Sequence, residues 1–335
     1  MRVKFIGETF DVDMLKTADP EMKRLLQLAE NVSSSRATVL IRGESGTGKE
    51  MLARFIHSRS PRANRRMVAV NCAAIPGELL ESELFGYEKG AFTGATQSKP
   101  GKFELANEST FLLDEISEMP LVLQAKLLRV IQEGEVERLG AKAPVRVNVR
   151  LIATTNRDLE EMVRLGQFRE DLFYRLNVIP IHLPPLRTRP ADIDLLARFF
   201  VEVSAHMNGK PPKRLSDDAL AKLREWRWPG NVRELENVIE RSVLMSPGDV
   251  IRAEDIMIQA RPTDEVLQPT SRGPELRPGM TISEAERQLI MKTLEYTNQN
   301  RTRAAQMLGI SIRTLRNKLH EYGVTRANNE ERIDG

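Results

Sequence analysis

The chain has 335 residues, 41% of them hydrophobic and 29% charged, and a formal net charge of +3 at pH 7. Those proportions exclude a disordered or fibrous protein, no apolar run approaches the roughly 18 residues of a membrane helix, and the length asks for two or three compact units. The single cysteine, Cys72, excludes an intramolecular disulfide framework and fits a reducing compartment, and the N-terminus has no apolar signal core; a cytoplasmic location without a membrane partner is therefore expected.

In chain order, residues 1–19 are a short N-terminal segment, and about twenty residues are too few for a phosphoacceptor or ligand-sensing domain. Strands are expected near Thr38–Arg42, Met67–Val70, Thr110–Leu113, Val147–Thr154 and Val178–Leu183, with helical patterns between them. Such alternation implies an α/β unit over 20–187, a parallel sheet with helices on its faces. Strand signals then stop, and helices at Ser216–Glu225 and Pro229–Leu244 imply a smaller helical subdomain over 188–260. Residues 261–279 carry Pro262, Pro269, Pro274 and Pro278 among polar residues and read as an extended linker. A small all-α unit at 280–324 and a polar tail at 325–335 complete the chain.

The first element with chemistry is the loop Gly43, Glu44, Ser45, Gly46, Thr47, Gly48, Lys49, Glu50, which follows an apolar strand and opens a helix. Glycines there let backbone N–H groups close on phosphate oxygens, the helix N-terminus adds a favourable field, and Lys49 reaches the terminal phosphates of a nucleoside triphosphate. Glu50 stands where a Ser or Thr hydroxyl usually meets magnesium. Further on, Gly90, Ala91, Phe92, Thr93, Gly94, Ala95 form a glycine-flanked loop whose aromatic has no evident helical or strand face to bury it, the form of a mobile contact device; an isolated Phe folds into a core more often.

An apolar strand then ends in Asp114 and Glu115, which a parallel sheet delivers to the edge where nucleotide binds. Asp114 is the candidate magnesium partner and Glu115 the base for the attacking water, although alone the two acids would also suit a helix cap. At the end of the next strand Thr155 and Asn156 either sense the γ-phosphate or cap a helix.

Near the C-terminus, 302–308, Gly309 and Ser311–His320 read as helix, tight turn, helix, with Gly309 left-handed and Ser311 as cap. Ile312, Leu315 and Leu319 would share the buried face. From Arg301 to Arg326 six basic residues stand against one acid, and Arg303, Ser311, Arg313, Thr314, Arg316, Asn317, Lys318 and His320 are candidate contacts to double-stranded DNA; a hairpin with a solvated basic face is the other reading. Ile282, Leu289, Ile290 and Leu294 form an apolar stripe on a preceding helix begun by Ser283 and Glu286, a dimerisation surface.

The Gly-Ala-Phe-Thr-Gly-Ala loop, placed between a phosphate loop and an acidic strand, resembles that of bacterial sigma-54-dependent transcription activators of the AAA+ superfamily. The likeness covers about Pro20 to Ala260, and a second covers Thr281 to Gly323 with a Fis-type helix-turn-helix. It implies an AAA+ P-loop sheet with a helical lid, the cofactors ATP and Mg2+, and contact of Phe92 and Thr93 with sigma-54. Asn71 is similar to the family's switch residue that restrains the catalytic Glu. Thr155 and Asn156 match its first sensor and Arg233 its second; Arg169 and Arg175 match arginines that reach a neighbouring subunit's nucleotide.

Arginines acting in trans imply a hexameric ring. Glu50 is shared by this group; at Asn107-Glu-Ser109 a glycine pair is usual, so a changed turn is expected. The implied function is ATP-dependent remodelling of the sigma-54 RNA polymerase holoenzyme from an upstream DNA site, controlled by a partner in trans, by expression or by the N-terminal segment. A DNA-binding regulator that uses nucleotide only to assemble, and a general remodelling ATPase, are the alternatives; the contact loop argues against the first and the basic C-terminal unit against the second.

Overall fold

The strands of the central sheet are apolar on both faces, as strands covered by helices on two sides must be. The computed structural model describes residues 2–5, 8–11, 15–258, 281–297 and 300–322, in two units, Met1–Ile258 and Gln259–Gly335. The first unit opens with the hairpin β1 (Arg2–Phe5) and β2 (Glu8–Asp11), then α1 (Pro20–Ser33), β3 (Val39–Arg42), α2 (Lys49–Ser58), β4 (Val68–Asn71) and α3 (Gly77–Phe85). An antiparallel pair β5 (Gly86–Tyr87) and β6 (Lys99–Pro100) leads to α4 (Lys102–Leu105), β7 (Thr110–Asp114) and α5 (Leu121–Glu133). A second pair, β8 (Glu135–Val136) and β9 (Val145–Arg146), precedes β10 (Arg150–Thr155), α6 (Leu159–Arg164), α7 (Glu170–Leu176) and β11 (Ile179–His182).

Five strands form one parallel sheet in the order β11-β3-β10-β7-β4. Alternation sends Leu40, Val70, Phe111, Leu113, Leu151 and Ala153 to one core with Phe85, Leu127 and Leu172. Val39, Ile41, Leu112, Ile152 and Ile181 meet Met22, Leu52 and Ile56 of α1 and α2 on the other side. Because all five run the same way, Arg42, Asn71, Asp114, Thr155 and His182 end at one edge. Asn71 pairs with Asp114 in register, and Arg42 with both Thr155 and His182.

The expected strand Val147–Thr154 is shortened at its start. Val147 N–H donates to the Gly134 carbonyl at 2.7 Å and Asn148 N–H to Asn107 Oδ1 at 2.8 Å, so these residues close a loop and β10 begins at Arg150. The guanidinium of Arg150 is buried without a carboxylate beside it and donates to the Val32 carbonyl at 2.8 Å and to that of Ser33, where the carbonyl end of α1 favours a cation. Burial brings its pKa down to about 10.

The lid consists of α8 (Pro190–Met207), α9 (Asp217–Glu225) and α10 (Asn231–Met245), with a short parallel pair β12 (Arg214–Leu215) and β13 (Val250–Ile251). Its core gathers on Trp228, fully buried, whose indole N–H donates to the Leu223 carbonyl at 2.8 Å. The last helix begins at Asn231 and not at Pro229, because the left-handed backbone of Trp228 and Asn231, each at φ +52°, keeps the intervening turn out of helical geometry.

The second unit holds α11 (Ile282–Tyr296), α12 (Arg301–Met307) and α13 (Ile312–Glu321) around Ile290, Leu294, Ala304, Ala305, Leu315 and Leu319. Gly309 has φ +67° and Ser311 Oγ accepts from Thr314 N–H at 3.0 Å, as expected. Two expectations change. The box that starts α11 is Thr281 with Glu284, whose carboxylate accepts from Thr281 N–H at 3.0 Å, while Glu286 turns to Lys318. Leu289 is exposed because it stands next to Ile290 and so off the face of the buried pair on α11, whereas Ile312 keeps the spacing of Leu315 and Leu319 but lies in the first turn of α13 and is 37% exposed. The Ile282 side chain, the linker at 261–279 and the tail at 325–335 lie outside the described residues.

At the turn where a glycine pair is usual, Glu108 holds φ +58° and donates its N–H to the Asn148 carbonyl at 2.9 Å. The turn therefore keeps a left-handed residue and puts a Cβ on it, at about 1–2 kcal/mol. Glu108→Gly is expected to raise the unfolding free energy by roughly 0.5–1 kcal/mol, after the larger chain entropy of glycine is set against relieved strain, while Glu108→Ala does not. Denaturant titration decides; equal effects of the two would contradict the strain.

Candidate functional site

The phosphate loop runs between β3 and α2. Gly43 N–H donates to the Thr155 carbonyl at 3.2 Å, which ties the loop to the sheet. Lys49 is 6% exposed, and its ammonium donates to the Gly43 carbonyl at 3.0 Å and sits 3.4 Å from Glu115 Oε1. Gly48 stands at the cap position of α2 with φ +100° and no side-chain cap, which leaves the first-turn N–H groups without a side-chain acceptor, as an anion-binding helix start requires. A Cβ at Gly46 would lie 2.2 Å from the Gly230 carbonyl, and the Gly46 carbonyl accepts from Val232 and Arg233 N–H at 3.0 and 3.3 Å. Loop and lid are in backbone contact.

Two loop residues act differently from the expectation. The Glu44 carboxylate is held by both Arg187 amino groups at 2.7 and 2.8 Å and by Asn231 Nδ2 at 3.1 Å, and the Arg187 hydrogen bonds lower its pKa. The Glu50 carboxylate pairs with Arg54 one turn on, along the exposed side of α2, away from the cradle. Ser45 Oγ lies 3.5 Å from Arg233 Nη1, and Thr47 Oγ1 donates to the Glu44 carbonyl at 2.8 Å.

At the strand ends, Asn71 Nδ2 donates to Asp114 Oδ2 at 2.7 Å, and its Oδ1 accepts from Ala73 and Ala74 N–H. Asn71 thus restrains Asp114 and not Glu115, because register places 71 opposite 114. Thr154 Oγ1 donates to Asp114 Oδ1 at 2.5 Å and accepts from Glu115 N–H at 3.1 Å. The backbone of Glu115 is left-handed, φ +53°, which turns its carboxylate toward Lys49 and the Asn156 N–H at 3.2 Å. Such strain gathers at functional sites.

Thr155 is buried, and its hydroxyl accepts from Arg157 N–H at 3.0 Å, so it acts as a turn cap and Thr154 takes the place beside the acids. The parity of a strand carries that signal, since neighbours on β10 face opposite sides. Asn231 was also missed: fully buried and left-handed, it accepts from Leu186 N–H at 2.8 Å and donates to Glu44 and the Ser45 carbonyl. Asparagine tolerates that backbone.

The donor set suits magnesium. Asp114 keeps lone pairs after two neutral donors, and one carboxylate with phosphate and water oxygens is the usual environment of this ion. Cys72, buried behind it, has its thiol pushed up to about 12 by burial and the charges of Asp114, Glu115 and Glu118.

The contact loop is a series of tight turns: Gly90 N–H donates to the Ala95 carbonyl at 2.9 Å and Ala95 N–H to that of Phe92 at 3.0 Å. Phe92 is 45% exposed with its ring edge-on to Tyr87, centroids 5.0 Å apart, and Thr93 and Gly94 are exposed. Ala95 is buried, and Ala91 packs against Gly140 of the second hairpin. The surface on offer is therefore Phe92 to Gly94. Arg138 braces its base through Glu88 and Glu104.

Arg169, at the cap position of α7, is paired with Asp171 at 2.6 Å, Arg175 on α7 makes no ion pair among the described residues, and both are exposed. In the second unit Arg303, Arg313, Thr314, Arg316, Asn317 and His320 are exposed, whereas Lys318 reaches back to Glu286 at 2.8 Å and Ser311 is engaged as cap.

A parallel sheet with a phosphate loop, paired acids on the neighbouring strand and a helical lid defines an AAA+ nucleotide-binding module. Residues 15–182 match the sigma-54 interaction domain, 187–271 the AAA+ ATPase lid domain and 281–322 the bacterial regulatory protein, Fis family. The chain belongs to the sigma-54-interacting transcription activators, with ATP-binding and DNA-binding modules. It is 52% identical over 327 residues to the transcriptional regulatory protein FlbD of Caulobacter vibrioides, covering 94% of this chain and 71% of that one. It is 51% identical to the regulatory protein AtoC of Escherichia coli, covering 92% and 67%, and 48% to the Nif-specific regulatory protein of Klebsiella pneumoniae, covering 94% and 60%. NtrX from Brucella abortus in complex with ATP superposes with a TM-score of 0.68 at 34% identity, over 92% of this chain and 69% of that one. No described helix is long and apolar enough to cross a membrane.

Thr154→Val removes a hydroxyl shared by Asp114 and the Glu115 backbone. It is expected to lower kcat for ATP about tenfold with a small change in KM, the loss of an interaction that orients the reacting groups, and Thr154→Ser to keep most of the rate. Equal kcat for Val and wild type would remove Thr154 from the site.

Proposed function

We propose that this chain hydrolyses ATP with magnesium and uses the cycle to move the loop around Phe92 and Thr93 against sigma-54 in the polymerase holoenzyme, opening the promoter. The observation that carries this is the coexistence on one sheet of Lys49, Asp114 and Glu115 with an exposed aromatic loop between β5 and β6. Lys49 and the loop amides would bind the phosphates, Asp114 would hold the metal, and Glu115 would take a proton from the attacking water. Thr154 and Asn71 fix the two oxygens of Asp114, and Asn156 N–H fixes Glu115.

Arg169, just ahead of α7, and Arg175, on it, are exposed and are proposed to complete the site of a neighbouring copy, as guanidinium groups that stabilise the transferring phosphate; this requires a ring, which the family forms as a hexamer. The basic face of α13 is proposed to read upstream DNA in its major groove. Cytoplasmic location and control by a partner in trans belong to the same proposal.

Two measurements test it. Glu115→Gln should bind ATP but turn over at least about a hundredfold more slowly, and mixing it with Arg175→Ala should recover turnover, since some interfaces of the mixed ring combine an intact arginine with an intact base. Absence of recovery would remove the trans site. Thr93→Ala should retain ATPase within about twofold, because it lies outside the phosphate site, and lose open-complex formation with sigma-54 holoenzyme; normal opening would sink the contact role.

A further inference from the structure

The carboxylate of Asp192, in the first turn of α8, is completely buried. It accepts from three donors on one short stretch ahead of α1. Thr17 Oγ1 is 2.8 Å from both its oxygens, and Ala18 and Asp19 N–H donate to Oδ1 at 2.6 and 3.1 Å. That stretch bridges the sheet-side core and the lid. Leu15 packs against the core cluster that contains Val39 and Ile41 of the sheet, Lys16 stands 4.3 Å over the Phe199 ring of α8, and Asp19 caps α1 through Met22 N–H at 2.9 Å.

On its other side Asp192 has Arg189 at 3.6 Å, also buried, whose Nη2 donates to the Thr47 carbonyl of the phosphate loop at 3.4 Å. One buried ion pair on the lid thus meets the strap through Asp192 and the loop through Arg189. A carboxylate used only to fasten the strap would not need a desolvated arginine that reaches the loop, since burying such a pair brings little net stability.

We propose that Asp192 and Arg189 are positioning residues for nucleotide turnover, joining the strap Thr17–Asp19 to the phosphate loop at Thr47. Displacing the strap then slackens the loop. The inference rests on the nucleotide reading above.

The test is a double-mutant cycle on the full chain with Thr17→Val and Arg189→Lys, two residues that share Asp192 as partner. Dissociation of a fluorescent ATP analogue, KM and kcat for ATP are measured. Each variant is expected to raise the dissociation constant and KM roughly three- to tenfold with less change in kcat, and the double variant to fall short of the product of the two. Thr17→Ser, which keeps the hydroxyl, should restore wild-type values. Wild-type affinity in Thr17→Val, or effects that simply multiply, would overturn the coupling. A wild-type chain that binds no ATP would instead overturn the nucleotide reading beneath it.

Discussion

The Gly46 carbonyl, accepting from the first N–H groups of α10, is the contact on which the rest of the site depends. It brings lid and phosphate loop so close that a Cβ at Gly46 would lie 2.2 Å from the Gly230 carbonyl. Glycine at Gly46 is thus required twice, by its φ of +78° and by space. Around this contact Glu44, Arg187 and Asn231 close a polar clamp. Rotation of the lid must therefore move the loop that holds phosphate, and the reverse.

The same edge concentrates opposing charges. Lys49 stands against Glu115, and burial together with the nearby carboxylates pushes the Cys72 thiol up to about 12. Asp114 is fixed by neutral partners on both sides, Asn71 from β4 and Thr154 from β10, so any shift between strands is felt at the proposed metal position. Leaving β4 at Asn71, the chain runs through α3 to the contact loop. This is the physical route by which γ-phosphate chemistry is proposed to reach Phe92.

Much of the sheet was legible because its strands are short apolar runs bounded by glycine and polar residues, and the phosphate loop because its spacing is demanding. What escaped depends on geometry that spacing does not encode. Strand parity exchanged Thr154 for Thr155 beside the acids, and register gave Asn71 to Asp114. Glu44 and Glu50 lie in the phosphate loop motif, yet their carboxylates serve the lid and a surface pair with Arg54, because a loop that binds anions through backbone N–H groups leaves its acidic side chains to find cations elsewhere. In the second unit Gly309 and Ser311 were readable from turn chemistry, whereas two equally spaced capping pairs, Thr281 with Glu284 and Ser283 with Glu286, are separated only by where the helix begins. Leu289 beside Ile290 was counted into one stripe although adjacent helical residues cannot share a face.

The central claim is that phosphate bond cleavage at Lys49, Asp114 and Glu115 drives the loop at Phe92 and Thr93. Its most direct test is promoter opening by the purified chain with sigma-54 holoenzyme and a promoter carrying its upstream site, comparing ATP with a non-hydrolysable analogue bound to saturation. Open complexes that form with ATP and not with the analogue are the expected result. Opening of equal extent with the analogue, or none with ATP while turnover proceeds, would contradict it.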